Sequence, residues 1–252
     1  MRLVALPRTH AVLFVILLIA PVVQAQVYPD DKVAVPREPA AIALLDKVVE
    51  AMGGHQALAG AHNSTHTASV VSTSSGSTSN DTATWTNSDI SHSFHLGDGD
   101  QFPHIQHNET SNGQLTQNGQ THQLSAAVAE AYFDPFDIAL LLSRSLANVN
   151  RGLVDGGSVT KDGRVVDKVT ITSTIEHRAV RKTLLVDATT YLPVELDFCM
   201  PALSPSTVCH PLTYRFGAFR RESGILYPEQ VTLSDLSGPL HTYSLLSGSP
   251  AQ

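Results

Sequence analysis

Apolar and polar positions change their period several times along this chain, and each change marks an expected element. Ile42, Leu44, Leu45, Val48, Val49 and Met52 recur at helical spacing opposite Asp46, Lys47 and Glu50. Pro39 starts that run and Gly53-Gly54 stops it, so a helix is predicted over 39–52, with a short helical piece over 55–61 behind it. From Asn63 to about Gly119 the spacing becomes two, as in Thr82-Ala83-Thr84-Trp85-Thr86 and Ser91-His92-Ser93-Phe94-His95-Leu96. Such alternation predicts strands wetted on one face. Breaks at 74–79, 97–99 and 112–113 turn them into antiparallel hairpins. The thin apolar content of this Ser/Thr-rich tract also fits partial disorder, but the regular alternation favours strands.

Ser125 to Asn148 returns to helical spacing in two pieces, 125–133 and 136–146, separated by Asp134-Pro135. Phe133, Phe136, Ile138, Leu140, Leu141, Leu142 and Leu146 make this block apolar on more than one face. Ordinary core packing and a lid over a cavity both fit that pattern. After Gly152 the chain reads as strands at 165–175, 178–186, 193–198, 212–221, 227–234 and 240–246, with turns at 162–163, 176–177, 187–190 and 223–224. Short connections make sequential antiparallel pairing the economical topology.

The start of the chain adds an address. Arg2 and Arg8 precede the apolar run Ala11 to Ala20, Pro21 interrupts it, and Val23-Gln24-Ala25 supplies a small-residue exit. Residues 1–25 therefore read as a secretory signal peptide, too short to persist as a membrane span. Residues 26–38, with Pro29 and Pro36, read as an extended lead-in, and 39–248 as a single domain. The expected product is soluble and periplasmic or secreted, with no stable membrane insertion after cleavage. In an oxidising compartment Cys199 and Cys209 are expected to form a disulfide that staples a Pro/Ser-rich loop between two strands.

Loss of Arg2 and Arg8 takes the net charge from −7 to −9. No cluster of Lys and Arg offsets it, which argues against nucleic acid and against an anionic membrane surface as partners.

Three further segments carry a resemblance. These are Ala51-Met52-Gly53-Gly54 with Leu58 following, Leu185-Val186-Asp187-Ala188-Thr189-Thr190-Tyr191-Leu192-Pro193-Val194, and Gly224-Ile225-Leu226-Tyr227-Pro228-Glu229. Together they resemble the bacterial outer-membrane lipoprotein-sorting (LolA/LolB-like) superfamily, over about residues 39–246. Asp187 and Thr189 would cap a turn, while Pro193 and Pro228 would each begin a strand. The resemblance implies an α+β fold: a strongly curved antiparallel sheet, an incomplete β-barrel. An N-terminal helix and a central helical segment would cover its concave face, which holds an acyl chain. No cysteine near the cleavage point matches the lipidated cysteine of the membrane-anchored acceptors, so a diffusing carrier is the expected role.

The chemistry visible in the sequence points the same way. His92/His95 and His104/His107 lie three apart, on opposite faces of a strand, and His62/His66 would converge only on a helix. No metal site and no cofactor are expected. There is no Gly-x-Ser-x-Gly, His-Glu-x-x-His or Ser-x-x-Lys pattern, and Asp98/Asp100 flank Gly99 as turn formers. The chain is therefore expected not to be an enzyme. The leading expectation is a carrier whose apolar groove holds a lipid or lipoprotein acyl chain, lined by Trp85, Phe94, Leu96, Phe133, Phe136, Leu140 and Leu141. A non-catalytic interaction module of the cell envelope, with an envelope protein as partner, is the alternative. A hydrolase of unknown type is the third reading.

Overall fold

The computed structural model describes residues 35–59, 63–74, 77–87, 91–96, 104–108, 113–117, 120–124, 133–175, 178–201 and 209–251. The signal peptide, the lead-in up to residue 34 and residues 125–132 of the helical piece expected over 125–133 lie outside the described residues.

Helix α1 (Pro39–Met52) forms where its stripe and both end signals agree. Ala41, Leu45, Val48, Val49 and Met52 are its buried face, whereas Ile42 and Leu44 lie at the edge of the stripe and are half-buried. Gly54 N–H donates to the Val49 carbonyl at 2.9 Å to close the last turn. Gly53 is needed there twice over. Its φ is +146°, and a Cβ would lie 2.9 Å from the Gly224 carbonyl oxygen. The short α2 (His55–Ala59) follows and buries Leu58.

Among the described residues thirteen strands make one antiparallel sheet. β1 (Asn63–Ser74), β2 (Ser77–Asn87), β3 (Ser91–Leu96), β4 (His104–Asn108), β5 (Gly113–Gln117) and β6 (Gln120–Leu124) step outward as successive hairpins. On the other side β7 (Gly152–Lys161), β8 (Arg164–Ile175), β9 (Arg178–Asp187), β10 (Pro193–Pro201) and β11 (Cys209–Phe216) form a meander. Between the halves run β14 (Gln230–Asp235) and β15 (Gly238–Ala251), giving the order β6-β5-β4-β3-β2-β1-β15-β14-β11-β10-β9-β8-β7. Among the described residues no pairing joins β6 to β7, so the sheet is not closed into a barrel. The expected α+β class therefore holds: a large open antiparallel sheet with N-terminal and central helices.

Three strand boundaries differ from the sequence reading, each for a physical reason. β7 is absent from that reading, because Gly156-Gly157 interrupts its pattern and most of its residues are exposed. It stands because it pairs with β8 from Gly152 to Lys161, and the lead-in adds a bridge at Leu153 on its other edge. Leu153 N–H donates to the Pro36 carbonyl at 2.7 Å, and Glu38 N–H to the Leu153 carbonyl at 2.8 Å. The single strands expected over 212–221 and 227–234 are each cut in two. β12 (Phe219–Glu222) and β13 (Ile225–Pro228) leave the sheet as a separate hairpin that packs on α1. Its turn is Ser223-Gly224, both at positive φ, the conformation a two-residue hairpin demands. Pro228 accordingly ends β13 rather than beginning a strand.

The 187–193 turn also differs in detail. Asp187 accepts N–H bonds from Thr189 and Thr190 at 2.9 and 2.8 Å, and it is the Thr190 hydroxyl, not that of Thr189, that joins at 3.1 Å. Pro193 starts β10 as expected. Tyr191, at positive φ, carries this turn against α1, where the Lys47 ammonium lies 4.9 Å from the ring centre.

The core lies on the helix-bearing face of the sheet. His66, Ala68 and Val70 of β1, Ala83 and Trp85 of β2, and Tyr243 and Leu245 of β15 alternate inward. Leu212 and Tyr214 of β11, Leu196 and Phe198 of β10, and Leu184 and Val186 of β9 continue that face. Opposite them is a turn of 3₁₀ helix, Pro135–Asp137, that leads directly into α3 (Ile138–Ala147). The expected helix over 136–146 is thus present with a tighter first turn. Arg37 ties its far end to the lead-in, donating to the carbonyls of Ser145, Leu146, Asn148 and Arg151 at 2.8–3.2 Å. No helix among the described residues is long and apolar enough to cross a membrane.

Candidate functional site

The helix-bearing face is filled at its centre and open at one end. Trp85 is 4 % exposed and meets Phe136 edge-on at 5.5 Å and Tyr243 at 5.3 Å. Phe136 enters this cluster because Asp134 caps its turn: the Asp134 Oδ1 accepts the Phe136 N–H at 2.9 Å. Phe133 belongs to a neighbouring aromatic group, 5.3 Å from Tyr214 and 5.9 Å from Phe198, with the Lys182 ammonium 4.7 Å from its ring centre. Leu140 is buried and Leu141 half-buried on α3. Phe94 and Leu96 stand on β3 at register positions opposite Trp85 and Ala83. The structure therefore brings Trp85 to Phe136, and places Phe133 in a separate aromatic group.

Beyond that second group lies a cavity of about 410 Å³, lined by His210, Pro211, Leu212, Leu233, Asp235, Leu236 and Leu240. Its volume falls within the range of sites that take small apolar ligands. Leu212 pairs with Phe198 and Leu233 with Tyr214, so the cavity begins one register step from the Phe133 aromatics. Leu236 is 90 % exposed at its rim. The Asp235 carboxylate accepts from the Ser237 hydroxyl and N–H and from Gly238 N–H, which hold its pKa below the usual carboxylate value. The rim charge is thus fixed in a turn while leucines supply the lining. Cys199 and Cys209 are disulfide-bonded beside it, their Cα atoms 5.5 Å apart at the end of the β10–β11 ladder. No single stretch of sequence signals this cavity, since its residues come from three strands and the turn between two of them.

A polar group also sits inside the core. His66 is fully buried, with its Nδ1 donating to Asp134 Oδ2 at 2.6 Å and its Nε2 3.9 Å from Asp137 Oδ1. Ser64, two residues earlier on the same face of β1, donates its hydroxyl to the Asp137 carboxylate. Tyr227 packs at 5.1 Å from the imidazole and Phe136 at 6.0 Å. Burial alone would lower the His66 pKa, but the charge and hydrogen bond of Asp134, with Asp137 and Glu222 beyond, raise it to about 9. Burial and the Asp134 charge push Asp137 up to about 6 against the pull of His66 and Ser64. Sequence reasoning pairs His66 only with His62, on a helix, whereas 63–74 is a strand. The available signal is the alternation Ser64-His66-Ala68-Val70, which puts a histidine on an apolar face.

The strand histidines are arranged across the ladder instead of along it: His92 is opposite His107 and His95 opposite His104.

No family model and no curated protein matches the sequence. Solved structures do. A putative outer membrane lipoprotein-sorting protein domain from Vibrio parahaemolyticus superposes with a TM-score of 0.53 at 8 % identity, over 82 % of this chain and 91 % of that one. A LolA superfamily protein from Nitrosomonas europaea gives 0.55 at 13 % identity, over 84 % and 94 %. A DUF1329 family protein from Desulfovibrio piger gives 0.53 at 12 % identity, over 82 % and 92 %. The chain has the LolA-like fold. Gly53 and the Gly224-Ile225 segment, two of the three motifs behind the sequence resemblance, touch one another, and the third packs its Tyr191 on α1.

Proposed function

We propose that the chain is an exported, non-catalytic carrier that holds the acyl chain of a lipid or lipoprotein in the cavity between Leu212, Leu233, Leu236 and Leu240. The cavity of about 410 Å³ is the observation that carries this reading. Each methylene withdrawn from water into such a lining gains about 0.8 kcal/mol, so shielding alone suffices and no covalent step is needed. The LolA-like fold and the similarity to a putative lipoprotein-sorting domain support the same class of cargo. A longer chain would reach Phe133 and then Leu140, Leu141, Trp85 and Phe136, which would have to part to admit it. A periplasmic or secreted site of action follows from residues 1–25 read as a signal peptide.

The test is extraction of the purified protein with organic solvent, mass spectrometry of the extract, and titration of the delipidated protein with a fluorescent fatty acid. Wild type should release an acyl lipid and bind the probe. Leu236→Glu combined with Leu240→Glu, both outside the packed centre, should weaken probe binding at least tenfold. An empty extract together with no probe binding would refute carriage. It would favour the second reading, an envelope interaction module, which the Trp85–Phe136 packing at the centre of the face supports.

A further inference from the structure

The cluster around His66 holds polar atoms that hydrogen bonding leaves unused. His66 is fully buried, yet its Nε2 has no hydrogen-bond partner. A buried orphan of this kind is costly unless something occupies it. Glu222 supplies the second: Arg220 Nη2 holds its Oε1 at 2.7 Å, while its Oε2 is buried and unpartnered. Both atoms face the same gap. Gly248 pairs with His66 in the β1–β15 ladder, and a Cβ there would lie 3.4 Å from His66 Nε2 and 3.1 Å from Glu222 Oε2. The missing side chain leaves open the space between them.

We propose that His66 Nε2, the Asp137 carboxylate and Glu222 Oε2 bind one zinc-type divalent cation between β1, the Pro135–Asp137 turn and β12. Asp134 fixes the ligand. Its bond to Nδ1 orients the ring and leaves Nε2 as the nitrogen that ligates once a cation displaces its proton, the usual carboxylate–histidine–metal arrangement. The contact at 2.6 Å is too short to admit an ion between Nδ1 and Asp134, so the cation belongs on the Nε2 side. There, His66 Nε2 and Asp137 Oδ1 are 3.9 Å apart. Tetrahedral ligands about 2.05 Å from zinc stand about 3.4 Å apart, so closure needs a movement of about 0.5 Å. His66 and Asp137 belong with Asp134 to a group whose donor atoms lie within 4.8 Å of one another; Asp134 serves as the partner of Nδ1, and Glu222 Oε2 approaches from the Gly248 side as the third ligand. One nitrogen with carboxylate oxygens suits zinc better than calcium or magnesium, which take oxygen alone. The site lies in the core, away from the leucine-lined cavity, and does not depend on the carrier reading.

The test uses untagged full-length protein with its disulfide formed, stripped by a chelator and titrated calorimetrically with zinc chloride. One equivalent should bind with a dissociation constant below about 1 μM, and the melting temperature should rise by several degrees. Glu222→Gln and Asp137→Asn, at the edge of the cluster, should each weaken zinc binding at least tenfold. Cobalt bound in place of zinc should show a visible absorption band, lost in both variants. Uptake no tighter than about 100 μM would overturn the proposal. So would unchanged binding in both variants, which would assign the ion to the histidines of β3 and β4.

Discussion

Replacing Arg37 by Met tests whether the lead-in is part of the fold. The guanidinium reaches four carbonyls at the end of α3: Leu146 from Nη2, and Ser145, Asn148 and Arg151 from Nη1. Nη1 carries two hydrogens, so three bonds operate at a time. A hydrogen bond to a charged group contributes about 1.5–3 kcal/mol. These carbonyls lie at a partly exposed helix end that water can re-enter, so about 1 kcal/mol each is the appropriate figure. Arg37→Met should thus destabilise the protein by about 3 kcal/mol, and lower the melting temperature by about 6–12 °C for a domain of this size. Arg37→Lys, with a single point of donation, should recover less than half. The assay is thermal and urea unfolding by circular dichroism, combined with amide exchange. Amides of the last turn of α3, including Asn148 N–H bonded to the Arg144 carbonyl at 3.0 Å, should exchange faster before those of α1 change. A fall below about 2 °C, or unchanged exchange over 144–151, would refute the assignment of Arg37 as the clamp.

Three other perturbations have defined outcomes. Glu195 is 3 % exposed and is paired with Lys161 and with Arg215. Glu195→Gln should cost about 1–2 kcal/mol in urea unfolding, less than a fully buried pair would, because both cations can rehydrate. Replacing Cys199 and Cys209 together by Ser should cost about 2–3 kcal/mol by releasing the loop they close, and the variant should melt at the same temperature as reduced wild type. Burial pushes the His241 pKa below 6.5, opposed by the Asp81 charge. The folded state therefore disfavours the proton, so this contribution is complete above about pH 6.5 and is lost as pH falls from there toward the folded value. His241→Gln should flatten that part of the stability–pH profile, and an unchanged slope would reject the assignment.

The sequence makes α1 legible because the apolar stripe, Pro39 and Gly53-Gly54 all agree. β8, β9 and β10 are equally plain, since hydrophobic alternation and turn residues coincide. β7 is not, because Gly156-Gly157 interrupts its pattern and it has little inward apolar side of its own, so its pairing with β8 leaves no periodic trace. The β11/β12 and β13/β14 breaks are hidden because the residues on each side of the corner are good strand formers. The cause is tertiary, since only the helices give β12 and β13 a surface to pack on. The cavity and the His66 cluster share that difficulty. Asp134 is 68 positions from His66, and Leu212 and Leu240 meet only through the ladder, so neither grouping has a local signature.

The last strand of the chain is not at an edge. β15 runs between β1 and β14, and its pairing with β1 joins residues as far apart as Asn63 and Ala251. Without it, the two meanders on either side have no common sheet and the helices no continuous surface to cover. The order of events in folding is thereby constrained: each half can pair early from local hairpins, but the shared core must wait for residues 238–251 to arrive. Contacts this distant in sequence make for slow closure. Removal of residues 238–251 would divide the protein in two rather than trim it.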